Sequence, residues 1–171
     1  MGFYVNSTDF TGKFEIHQGM YDTANIDAYI EKYELRYLVE LLGVDLYNAY
    51  YLDANAQPNK IPADPLFNYI YNQFQYQNGM EYWQILYSYG IKEMLLGFIY
   101  FEFMKDFITA STLAGVVTQK SENSSGAMTT IYGKYNDAVK TYRAIQSYII
   151  YNSGSYPTFR GQAKQYAYWL W

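Results

Sequence analysis

The sequence predicts an all-α fold: a small bundle of four to five helices, with a long loop or β-hairpin between the two longest helices and an extended C-terminal tail. Three observations predict it. Apolar residues recur at three- and four-residue steps over 25–42 and again over 128–151. Between these stripes, residues 91–108 are apolar nearly all the way round a helix. The segment Thr109–Ala127, nineteen residues without proline, then separates that helix from the next, where helix–helix connections in bundles take about two to eight.

Taken in order, residues 1–24 set turn formers (Asn6, Ser7, Asp9, Gly12) between aromatic positions and read as an extended or irregular arm with room for one short strand. The first helix starts at Asn25, a plausible N-cap, and carries Ile26, Tyr29, Ile30, Tyr33, Tyr37, Leu38, Leu41 and Leu42 on one face before Gly43 stops it. A short second helix, Asp45–Leu52, has Asp45 as its cap. The stretch "DANAQPNKIPADP" is a loop. Asp64-Pro65 opens a third helix in the cap-then-proline order, running through Leu66, Ile70 and Phe74 to about Tyr76, and Asn78-Gly79 is a turn. The fourth helix begins near Glu81 or Tyr82, with Gly90 as a candidate kink. Its strong part, 91–108, is about 27 Å long and is the expected centre of the bundle. The fifth helix, Met128–Tyr151, has a stripe of Ile131, Tyr135, Val139, Tyr142, Ile145 and Ile149, with Lys134, Asp137, Lys140, Thr141, Arg143 and Ser147 mostly elsewhere. That narrower face puts it at the bundle surface. "NSGSYPTF" ends it, and Arg160–Trp171 forms the tail. The expected organisation is one domain over 1–171: an arm (1–24), a bundle (25–151) from which the loop 109–127 protrudes, and a tail (152–171).

Composition narrows the function. With 12 Lys and Arg against 16 Asp and Glu, the net charge is −4, and no basic run suits a phosphate backbone. There is no cysteine, so disulfides, thiolate chemistry and Cys-type zinc sites are excluded. The N-terminus MGFYVNSTDF lacks a positive region followed by an apolar core, so no secretory leader is expected, and Asn6 replaces the Ser or Thr of a myristoylation signal. The longest near-apolar run, Met94–Phe101, is bracketed by Lys92-Glu93 and Lys105-Asp106 and falls short of the roughly 20 residues a membrane span needs. No membrane partner is expected.

Catalysis finds little support. His17 is the one histidine and has no local nucleophile or orienting acid. Glu31 and Glu34, and likewise Glu93 and Glu102, read as solvated helix charges rather than as metal ligands, because a four-helix di-iron site needs Glu-x-x-His pairs. Neither "GIKEMLLG" nor "GSYPTFRG" matches a phosphate-binding loop. No catalytic residue, cofactor or metal site is predicted.

Two segments are better candidates for contact with a partner. In the loop, Thr112, Leu113, Val116, Val117, Thr118 and Gln119 surround "GVVTQ", whose β-branched run favours extended backbone able to pair with the edge of another chain. The flanking "KSENSSG" is expected to stay mobile until a partner is bound. In the tail, Tyr166, Tyr168, Trp169 and Trp171 form an aromatic cluster that marks either an interface or a segment folded back onto its own core. The 23 tyrosines are an outlier with two readings: a compositional habit of the source, or use of a large ring with a polar tip, a residue enriched at interfaces.

The order of these parts resembles the head–tail connector (adaptor) proteins of tailed bacteriophages, and most of all the ring proteins of crAss-like phages. Three stretches carry the likeness: "YIEKYELRYLVELLGVDLYNAY" (Tyr29–Tyr50), "GIKEMLLGFIYFEFMKDF" (Gly90–Phe107), and the loop "TASTLAGVVTQKSENS" followed by "YNDAVKTYRAIQSYI". The resemblance implies a structural, non-enzymatic virion protein, assembled in the host cytoplasm and present in about a dozen copies as a symmetric ring. That ring sits between the portal protein and other connector or tail proteins, and genomic DNA passes through its channel. By position, Thr109–Ala127 matches the family's loop that reaches neighbours or the portal, and Arg160–Trp171 matches its contact-making tail. The alternatives are another head- or tail-completion protein and, from a different class, a helical enzyme or metal-binding bundle.

Overall fold

The structure is a computed structural model and describes residues 2–16, 23–77, 85–108, 111–112, 115–116 and 124–167. It is mostly helical, with five helices: α1 (Thr23–Leu42), α2 (Val44–Asn55), α3 (Pro65–Tyr71), α4 (Ile91–Ile108) and α5 (Ser124–Tyr151). Two antiparallel hairpins join them. Strands β1 (Phe74–Gln77) and β2 (Ile85–Ser88) lie between α3 and α4, and β3 (Ser111–Thr112) and β4 (Gly115–Val116) lie between α4 and α5. At 18 residues α4 is shorter than α1 at 20, so the α4–α5 connection does not join the two longest helices.

Helix α4 is the centre. Every residue from Met94 to Phe103 is buried. Its main neighbours are α5 and α1. Tyr37 of α1 stacks on Phe98 at 4.3 Å between ring centroids, and Phe101 meets Tyr132 and Tyr135 of α5. As expected, α1 stops at Gly43 (φ +80°), whose N–H closes on Val39 O and whose carbonyl starts α2 at Tyr47 N. Asp64 caps α3 by accepting from Leu66 N at 2.8 Å.

Three sequence expectations are corrected. The third helix ends at Tyr71, not Tyr76, because Asn72 takes extended backbone (ψ 169°) and its Nδ2 donates back to Asn68 O. The alternating residues that follow then build β1. Residues 85–88 are strand, not the start of the fourth helix, with Phe74 opposite Ser88 and Gln77 opposite Ile85. Gly90 is the turn out of β2 rather than a kink, its N–H held by Ser88 Oγ at 3.1 Å. Asn78-Gly79 lies outside the described residues.

The N-terminal segment is irregular, as expected, but it is part of the core. Two 3₁₀ turns, Ser7–Asp9 and Gly12–Phe14, present Phe10 and Phe14 inward, together with Tyr4, Val5 and Ile16. One carboxylate holds it. Glu34 of α1, only 5% exposed, accepts the N–H groups of Phe3 (2.7 Å), Tyr4 (3.1 Å) and Val5 (2.9 Å). Burial pushes the Glu34 carboxyl above its ordinary pKa, against the pull of these three donors. Glu102, also expected to be solvated, is buried too, and it accepts from Tyr37 Oη at 2.7 Å and Lys105 Nζ at 2.6 Å. Both acids fall on packed helix faces, so each needs donors inside the fold.

Replacing Glu34 with alanine strands three N–H groups and is expected to cost about 3 kcal/mol of stability. The readout is a lower urea midpoint, with protease cleavage before Phe14 at urea concentrations where the native protein resists.

Candidate functional site

The two segments singled out in the sequence take different forms. Helix α5 begins at Ser124, four residues before the expected Met128, so the α4–α5 connection is 109–123. Ala127 and Met128 are good helix formers and extend the helix back past Ile131. Ser124, Ser125 and Gly126, expected to be mobile, are its first turn. Within the connection, Ser111 pairs with Val116 and Thr112 with Gly115. Thr112 and Val116 therefore lie on a short hairpin, in the place where a loop or β-hairpin was expected. Leu113, Val117, Thr118 and Gln119 lie outside the described residues, as does His17.

The tail folds back as a strap along the seam between α1 and α5. After α5, Tyr156 turns into the core and its hydroxyl donates to Leu66 O at 2.9 Å. The chain then meets the α1–α2 corner. Arg160 N–H donates to Leu42 O at 3.1 Å, and Gln162 N–H to Glu40 O at 2.7 Å. The Gln162 carbonyl accepts from Tyr142 Oη at 2.5 Å and from Gln146 Nε2 at 3.0 Å. Between them Gly161 fits without clearance, since a Cβ there would stand 2.1 Å from Leu41 O. Lys164 then reaches inward to pair with Glu40, with its ammonium 4.4 Å from the Tyr37 ring centre, 5.3 Å from Phe98 and 5.4 Å from Tyr142. Tyr166 lies under the Arg143 guanidinium at 5.1 Å. Ala167 exchanges two hydrogen bonds with the Asn136 carboxamide, each 2.9 Å. Tyr168, Trp169 and Trp171 lie outside the described residues.

The strap has a direction. It passes Tyr142 and Gln146 first and Asn136 last, so it runs toward the N-terminal end of α5. The twelve residue steps from Ser124 to Asn136 span about 18 Å of helix. The C-terminal end of α4, the β3–β4 hairpin and the N-terminal end of α5 share one end of the bundle. Tyr29 Oη, near the start of α1, donates to Asp106 of α4 at 2.8 Å and brings that helix end there too. As far as Ala167, the strap therefore runs toward the end from which the hairpin leaves.

The strap's anchors were not legible locally. Glu40 and Lys164 are 124 positions apart, and Asn136 and Ala167 are 31 apart. The tyrosines divide. Among the described residues Tyr4, Tyr33, Tyr37, Tyr50, Tyr100, Tyr142 and Tyr156 are core residues, whereas Tyr87, Tyr89 and Tyr151 are exposed. Among the described residues no group of three metal-ligating side chains occurs, and no helix is long and apolar enough to cross a membrane. Comparison with family models, with curated proteins and with solved structures finds no match.

Burial raises the Glu40 carboxyl, but hydrogen bonds from Lys164 and Arg36 outweigh it and hold the pKa below the ordinary 4.5. A carboxyl lowered on folding contributes stability above its unfolded pKa and loses it as pH falls through the folded value. Corrected hydrogen-exchange protection of the Arg160 and Gln162 amides is therefore expected to be flat above about pH 4.5 and to fall in more acidic buffer. Glu40→Gln should flatten that dependence and lower neutral-pH protection roughly tenfold, the loss of about one charged hydrogen bond.

Proposed function

We propose that this chain is a structural virion protein: one subunit of an adaptor ring that joins the capsid portal to the tail and lines the DNA channel. The observation that carries this reading is the shared end of the bundle described above. The short hairpin leaves from that end, and the described part of the tail, to Ala167, runs toward it. The three stretches behind the resemblance support it further. They become α1–Gly43–α2, α4, and the hairpin connection with α5, in that order around one contiguous core.

In this reading the bundle is the rigid body, about a dozen copies close a ring by heterologous contacts, and the hairpin and terminal aromatic residues engage the portal or a further connector protein. A net charge of −4 suits a channel wall that DNA slides past without adhering. The site of action is the head–tail junction of the virion, reached from the host cytoplasm during assembly.

A deletion of Thr112–Asn123 leaves 109–111 to join α4 to α5 and stops short of the first α5 residue. It is expected to keep full helical circular dichroism and to lose co-purification with the portal protein. Helix loss would make the connection part of the core, and retained portal binding would sink the adaptor reading. Trp169 and Trp171 are expected to shift their fluorescence to the blue when the ring forms, which Trp83→Phe isolates from the remaining tryptophan.

A further inference from the structure

The outward stripe of α5 is the floor of an open groove of about 270 Å³, walled by β2. Ile85 and Tyr87, alternate residues of β2, stand exposed on one side, and Lys140 and Arg143 line the other. Ile150 and Tyr151, also exposed, extend the α5 stripe in the C-terminal direction. Neither cation is firmly committed. Lys140 pairs with Asp137 at 3.1 Å through side chains that are both more than half exposed, an arrangement worth little in water. Arg143 lies over Tyr166, and among the described residues no carboxylate pairs with it. Apolar side chains beside two available cations select a partner with exposed aliphatic residues flanked by a carboxylate.

Such a surface exists elsewhere on the same chain. Leu52 and Val44 are the two most exposed large apolar side chains among the described residues, at 68% and 59%. They stand eight residues apart on the outer face of α2, with Asn48 between them on the same face. Asp45 flanks them and, among the described residues, has neither a hydrogen-bond nor an ion-pair partner for its carboxylate. The α2 face and the groove thus match in apolar character and oppose in charge, and they belong to different parts of the molecule. A patch that pairs with itself makes a two-fold dimer, whereas two unlike patches that pair with each other make a head-to-tail contact, which can close as a ring.

We propose that the groove between β2 and α5 receives the outer face of α2 from a second copy of this chain. Leu52 and Val44 lie against Ile85 and Tyr87, and Asp45 faces Lys140 and Arg143. This is a helix-in-groove contact, with affinity from the apolar anchors and register from the charges. It rests on the ring reading and names the subunit–subunit surface within it.

The absence of cysteine gives a clean test. The full-length chain carrying both Leu52→Cys and Tyr87→Cys is oxidised mildly and run on a non-reducing gel. The expected result is a ladder of covalent multimers that collapses on reduction, while each single variant stops at dimer. Adding Asp45→Lys should reduce the ladder several-fold, and adding Arg143→Glu with Lys140→Glu should restore it. All changes are at exposed positions, and circular dichroism checks that each variant is folded. No ladder from the double variant, or a ladder indifferent to the charge reversals, overturns the proposed contact. Light scattering on the unmodified chain, alone and with portal protein, separates this from the wider reading. Multimers larger than a dimer without a ladder leave the ring standing and remove this interface, whereas a monomer under both conditions removes both.

Discussion

A helix buried on every side must be covered on every side, and α4 imposes that requirement on the rest of the chain. Met94–Phe103 offers no solvent-facing position. Helices α1 and α5 cover two flanks. The N-terminal segment covers a third, where Phe14 lies 6.1 Å from Tyr100 and Lys13 pairs with Glu93. Over Phe98 the strap adds Lys164, its ammonium 5.3 Å from the ring centre. An ammonium suits that position because it rests on three ring faces and finds a carboxylate, Glu40, at their edge.

The same requirement explains the buried acids. Glu34 and Glu102 sit on helix faces that the arm and α1 must pack against. A buried carboxylate without donors is untenable, and the fold supplies them in two different ways. Glu34 collects successive backbone N–H groups, which fixes the path of the chain but no particular arm side chain. Glu102 collects a phenol and an ammonium, which fixes the register of α1 against α4 through Tyr37. Removing a partner from either costs more than the contact contributes, because the remaining groups stay buried and unpaired.

This division also decides what could be read in advance. The long periodic segments were legible, since α1, α4 and α5 obey a three-to-four-residue spacing and Gly43 and Asp64-Pro65 punctuate the chain where they should. The β1–β2 hairpin was not, because Leu66, Ile70 and Phe74 keep helical spacing across a break that only the cap at Asn72 makes. Between α4 and α5 the sequence left a loop or a β-hairpin open, and the described residues form a short ladder of Ser111–Thr112 with Gly115–Val116. The strap's fold-back was one of two readings of the tail, but its anchors left no local trace. Its spacing matches no period, and the residues that hold it (Glu40, Asn136, Gln146) read as ordinary polar positions until the third dimension joins them. Its aromatic content suggested stickiness without saying to what.

The tyrosines bring these threads together. A buried phenol is best placed where its hydroxyl finds a partner, and Tyr37, Tyr142 and Tyr156 end on Glu102, Gln162 and Leu66 respectively. Each of these hydroxyls ties two elements distant in sequence, so these tyrosines fasten layers as well as fill space. Tyr87, on the strand β2 that packs against α5, and Tyr89, just past its end, have the same chemistry, yet they face water. A ring with one apolar face and one polar tip tolerates that exposure better than leucine and gains more from being covered. One residue type therefore serves both a closed core and a solvent-facing surface in this fold.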